Sequence, residues 1–166
     1  MIKSLFRKIL FIESHIYLYP YSSDNLNEDL KKIFGASYFD KKTTLRGKKI
    51  SDDSFSLWEK WNLFGSYRSF DALGVFSGTK VNRKNKTLII ATIYPNALSI
   101  LLYYLLISIS ISAIYFYFFG SESIINIEII LVLVAISFII HRALIFQRKR
   151  IKKSVEFEFN LKRYKH

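Results

Sequence analysis

TLIIATIYPNALSILLYYLLISISISAIYFYFFGS, residues 87–121, runs for 35 residues without a Lys, Arg, His, Asp or Glu. Its reading decides the architecture. An apolar tract of this length is a buried core helix, a set of strands or a membrane span. The stretch from Pro95 to Phe119 supplies 25 residues, and roughly 20 mostly apolar residues suffice for a helix to cross about 30 Å of hydrocarbon. Pro95 suits a first helical turn, where its missing N–H costs nothing, and Gly120 marks the end. The alternation in SISIS would fit a strand. A lone strand in lipid, however, leaves its backbone groups unpaired, and one hairpin cannot close a barrel. Tyr94 at one end, and Tyr115 and Tyr117 at the other, fall where an aromatic belt lies. The expectation is a transmembrane helix over 95–119.

A second apolar segment follows. Its uncharged core, Ile129 to His141, is only 13 residues, too short to span. Extended over 124–146 it reaches 23 residues, with Glu128 and Arg142 each about one turn inside an end. Arg142 can snorkel towards an interface. The intervening GSESIINIE carries no Lys or Arg, whereas Lys80, Arg83, Lys84 and Lys86 precede the first span and QRKRIKK follows the second. The positive-inside bias then predicts a transmembrane hairpin over 95–146 with both termini cytoplasmic.

Composition agrees with such a division. Of 166 residues, 51% are hydrophobic and 17% aromatic, and the net charge is +12. That charge is unevenly spread. Residues 1–86 hold 16 Lys/Arg against 9 Asp/Glu, and 147–166 hold 8 against 2. The chain has no cysteine, which excludes disulfides and Cys-ligated metals. MIKSLFRKILFIESH is broken by Arg7, Lys8 and Glu13, so no signal peptide is expected. The wealth of Ile, Lys and Asn suits an AT-rich bacterial genome, and the expected location is the bacterial inner membrane.

Residues 1–94 read as a small cytoplasmic α+β domain of about six short strands and one helix. ILFIESHIYLY has strand composition. In SSDNLNEDLKKIFG, Ser23 or Asp24 caps a helix whose Leu26, Leu30, Ile33 and Phe34 share one face, with Gly35 as its stop. Short aromatic-rich runs follow: TTLRGKKI, FSLWEKW, FGSYRSF, LGVFSGTKV and KTLIIATIY. The last two are expected to form a hairpin around Asn82–Asn85. TLIIATIY is apolar on both faces, as for a strand covered on both sides. The basic tail 147–166 contains SVEFEFNLKRYKH, in which Val155, Phe157, Phe159 and Leu161 alternate with polar residues. This predicts an edge strand rejoining the sheet, the alternative being continuation of the second helix.

No residue pattern points to catalysis. GVFSGTK has three residues between its glycines where a phosphate loop needs four, and it lacks GK[ST], so a strand connection is the better reading. His15, His141 and His166 are too scattered for metal spacing. Asp52 and Asp53 in SDDS read as turn residues. No cofactor and no nucleic-acid partner are expected. The remaining candidates are structural or lipid-directed. Ser108 and Ser112, four apart, with Ala135 opposite, offer a small-residue face for helix packing or an oligomer seam. Glu128 is an ionisable group inside a span. Arg148, Lys149, Arg150, Lys152 and Lys153 suit anionic lipid headgroups. Trp58 and Trp61 are core aromatics or a docking and interfacial surface.

The run FGSYRSFDALGVFSGTKVNRKNKTLIIATIYPNALSILLYYLL resembles a diffuse group of small bacterial two-helix membrane proteins with a strand-rich cytoplasmic half. The resemblance covers about a quarter of the chain and implies a two-part architecture but no activity and no site residues. The expected function is a non-enzymatic accessory or anchoring subunit of a larger membrane assembly, with the bilayer and other membrane proteins as partners. The alternative is a homo-oligomeric membrane effector or pore gated by its cytoplasmic domain.

Overall fold

The structure, a computed structural model, describes residues 7–36, 44–59, 74–83, 86–119 and 126–164. The order is β1 (Glu13–Tyr19), α1 (Ser23–Gly35), β2 (Leu45–Lys49), β3 (Ser54–Glu59), β4 (Gly74–Arg83), β5 (Lys86–Pro95), α2 (Ala97–Phe119), α3 (Ile127–Glu158) and β6 (Lys162–Arg163). The six strands form one antiparallel sheet in the order β2-β3-β4-β5-β1-β6. The chain is thus α+β, with two long apolar helices.

Period-two burial dictates which face of the sheet is covered. Tyr17 and Tyr19 of β1, Ile89, Ala91 and Ile93 of β5, Phe76 of β4, Phe55 and Leu57 of β3 and Leu45 of β2 are all buried. Their cross-strand register places them on one side, for example Tyr17 opposite Ile89 and Leu57 opposite Phe76. Two helices lie on that side and join the same core: α1 through Leu26, Leu30 and Ile33, and α3 through Ile151, Val155 and Phe159. Each such fully buried aliphatic side chain contributes about 1.5–3 kcal/mol relative to exposure.

α1 forms as its periodicity predicts, except that Ser22 is the cap. Its hydroxyl accepts from the Asn25 amide at 3.3 Å. The β4–β5 hairpin also forms, with Asn82 opposite Thr87 and Arg83 opposite Lys86. The glycines of GVFSGTK lie within a strand, not in a connection. Both sit on the covered face. A Cβ on Gly74 would meet the Gln147 carbonyl oxygen at 3.0 Å, and one on Gly78 the Phe55 ring at 2.5 Å. Gly74 therefore lets β4 approach the α3 backbone, and Gly78 makes room for an aromatic ring.

Two expectations are corrected. TLIIATIY is covered on one side only by the described residues: Leu88, Thr92 and Tyr94 are half-buried and Ile90 is 49% exposed. The tail 154–158 is helix, and strand pairing is confined to Lys162–Arg163 beside Tyr17 and Leu18. A period of four explains the tail. Ile151, Val155 and Phe159 are buried against the sheet, while Phe157, which alternation would bury, is 85% exposed. The helix ends where Asn160 takes a φ of 50°, a left-handed conformation that Asn tolerates.

Among the described residues, α2 and α3 are the two helices long and apolar enough to cross a membrane, and only 11% of the most apolar stretch of each is buried. They pack on each other along a seven-residue repeat. Ile130 and Leu144 are buried in α3, with half-buried Ser137 seven residues from each, and Ser110 and Ala113 are buried in α2. Such a repeat keeps one seam facing the partner helix. The Ser110 and Ser137 hydroxyls lie 3.5 Å apart across it, each also bonded to the carbonyl four residues back. Ser108, Ser112 and Ala135 are exposed, so they do not pack the hairpin internally.

Candidate functional site at the junction of sheet and helix

α3 is a single helix of 32 residues, about 48 Å at 1.5 Å per residue. Its first 20 residues are almost wholly apolar. The rest lies across the covered face of the sheet, and here the basic run 148–153 meets carboxylates that are distant in sequence.

The junction starts at Phe11. Residues 7–10 make a helical turn, and Phe11 (φ 55°) redirects the chain into β1. The Phe11 ring packs edge-on against Tyr103 of α2 and His141 of α3, at centroid distances of 5.6 and 5.3 Å. Tyr103 Oη and His141 Nδ1 are 3.1 Å apart. Beyond Phe11, Glu13 receives Lys152 Nζ at 2.7 Å and Arg148 Nη2 at 3.3 Å, and Arg148 Nη1 also donates to the Phe11 carbonyl at 3.2 Å. His15 Nε2 lies 3.0 Å from Glu13 and 2.8 Å from Lys152. Burial alone would raise the Glu13 pKa. Lys152, His15 and Arg148 outweigh that and hold it at about 2.

Two further contacts extend this network. Arg150 Nε meets Glu59 of β3 at 2.6 Å, and the Ser154 hydroxyl donates to the same carboxylate. Tyr17 donates to Glu156 at 2.8 Å, and Arg163 of β6 donates to it at 3.2 Å. Burial, then Glu156, pushes the Tyr17 pKa far above its usual value, so the phenol remains a donor throughout the physiological range. Three carboxylates on β1, β3 and α3 thus tie the lower part of α3 to both halves of the sheet.

Arg148, Arg150 and Lys152, expected on lipid headgroups, have their charges engaged by Glu13 and Glu59. Arg148 and Lys152 side chains are only 17% and 12% exposed. Lys149 and Lys153 are exposed. Glu128 lies in the first turn of α3, also exposed, and is not brought near the junction. Trp58 is half-buried on the face of the sheet away from the helices, in register with Arg46 and Val75. Trp61 and the run FGSYRSF lie outside the described residues, as does His166. Asp52 is paired with Lys49 at 2.5 Å in the exposed β2–β3 turn. Among the described residues no three His, Cys, Asp or Glu side chains converge to hold a metal.

Sequence reasoning missed Glu13 and Glu59 as the partners of the basic run. One signal was present: Arg148 and Lys152, four apart, share a helix face, as do Arg150 and Ser154. A partner more than 90 residues away leaves no such local trace.

No family model, curated protein or solved structure matches this chain.

Proposed function

We propose that this protein is a non-enzymatic, membrane-anchored accessory or anchoring subunit of a larger assembly in the bacterial inner membrane. Both termini lie in the cytoplasm. The outward surfaces of α2 and α3 support anchoring. Leu101, Leu105, Phe118, Leu131 and Ile139 are each at least 55% exposed, a continuous apolar surface that water does not tolerate on a soluble monomer. The charge asymmetry supports the orientation, because the basic residues flank the hairpin on its sheet side.

The observation that carries the accessory role is the face of the sheet that the described residues leave open. Ile16, Leu18, Val81, Leu88 and Ile90 form an aliphatic patch there, with Ile16 opposite Ile90 and Leu88 opposite both Leu18 and Val81. None of these side chains is buried. Lipid is poorly placed to cover them. Ile90 is four residues along β5 from Tyr94, about 13 Å at 3.3 Å per residue, and Leu88 is further still. A partner protein docking on the cytoplasmic side fits that position.

The homo-oligomeric effector or pore is the second reading, favoured by the outward small residues Ser108, Ser112 and Ala135. Native mass spectrometry of the complex, gently solubilised from its source membrane, separates the two. The accessory role predicts a heteromeric mass that Ile90→Lys dissociates while the hairpin still inserts. A closed ring of this chain alone, unchanged by Ile90→Lys, would overturn it.

A further inference from the structure

A cavity of about 230 Å³ opens beside the junction. We infer that it is a binding slot for a single bilayer phospholipid, held through its phosphate by Arg150. This inference rests on the membrane-spanning reading of α2 and α3.

The cavity spans the point on α3 where apolar sequence gives way to basic sequence. Ala143, Phe146 and Ile151 supply apolar wall, and Glu59, Gln147 and Arg150 supply the polar end. An engineered apolar cavity of about 150 Å³ admits benzene. This one therefore holds a short length of acyl chain with the adjoining ester region, the rest of the lipid remaining in the bilayer.

The polar end matches a phosphodiester. Glu59 engages Arg150 through Nε at 2.6 Å, and Ser154 holds Glu59 in turn. Held by one edge, the guanidinium keeps its outer N–H groups for a second anion, and planar bidentate recognition of phosphate is what arginine does best. Arg150 remains 44% exposed while Glu59 is 16% exposed, so the cation is the accessible member of the pair.

The test is native mass spectrometry of the full chain in mild detergent, titrated with equal amounts of phosphatidylethanolamine and of diacylglycerol, which carries the same acyl chains and no phosphate. The expected result is one retained phospholipid, favoured over diacylglycerol by about 10- to 100-fold, the range that one charge-assisted hydrogen bond supplies. Ala143→Trp, which fills the slot on an exposed apolar position and leaves every charge in place, should abolish retention. Lys149→Ala, outside the cavity, should leave it intact. Retention by Ala143→Trp would overturn the slot, and equal retention of both lipids would overturn the phosphate contact at Arg150. Alkaline carbonate extraction of the same membranes separates the two levels. A chain that is extracted sinks the spanning reading along with the slot. One that stays in the membrane yet retains no lipid sinks the slot alone.

Discussion

Glu13 is the residue on which the junction turns. It neutralises two cations of α3, borders His15 and sits two residues past Phe11, where the chain is redirected. Its carboxylate titrates at about 2 in the folded chain against 4.5 for an unperturbed glutamate. A depressed carboxylate contributes stability that is fully present above the unfolded pKa and is lost as pH falls through the folded one. The window is therefore pH 4.5 down to about 2. Glu13 is about one-third exposed, so solvent screening reduces the stabilisation at neutral pH to about 1–2 kcal/mol. Glu13→Gln should lower the melting temperature in detergent at pH 7, and its difference from wild type should shrink as pH falls through the window. A difference independent of pH between 7 and 2 would show that the carboxylate contributes packing rather than charge. None of this was visible locally: Glu13 interrupts an apolar N-terminus and reads there only as an obstacle to a signal peptide.

At the scale of elements, the apolar helices and the strand pairs were legible because each is encoded by a run of consecutive residues. The face each helix presents was less so. Ser108 and Ser112 attract notice at a spacing of four, yet the seam uses Ser110 and Ala113 of α2 against α3. The better signal was the repeat of seven in Tyr103, Ser110 and Tyr117, matched by Ile130, Ser137 and Leu144. The tail misleads for a related reason. Val155 and Phe159 satisfy both a period of two and a period of four, and only exposed Phe157 distinguishes them. The seam predicts an asymmetry between neighbouring serines. Ser110→Leu overpacks a closed contact, which typically costs about 1–3 kcal/mol, whereas Ser108→Leu adds a methyl-rich group to an exposed apolar surface. Thermal unfolding of monomeric protein in detergent should show a loss for Ser110→Leu and little change for Ser108→Leu. Equal losses would place Ser108 on the seam.

For the whole molecule, the consequence of the junction is that α3 belongs to two units at once. Its upper part packs on α2 through Ile130, Ser137 and Leu144, and its lower part completes the core of the sheet through Ile151, Val155 and Phe159. A displacement of the sheet by a docked partner would therefore reach the hairpin through one continuous helix. The same continuity fixes a topology that can be tested. The chain contains no cysteine, so single cysteines report position without background. Asp24 at the start of α1, Asn126 at the cap of α3 and Asn160 after its end are all exposed. If both apolar helices cross the bilayer, Asp24→Cys and Asn160→Cys should react with an impermeant maleimide only in inside-out vesicles, and Asn126→Cys only in right-side-out ones. Labelling of all three from one side would mean that the hairpin lies on the surface. The basic flanks would then mark a peripheral contact, and the slot at Arg150 would lose the bilayer that supplies its ligand.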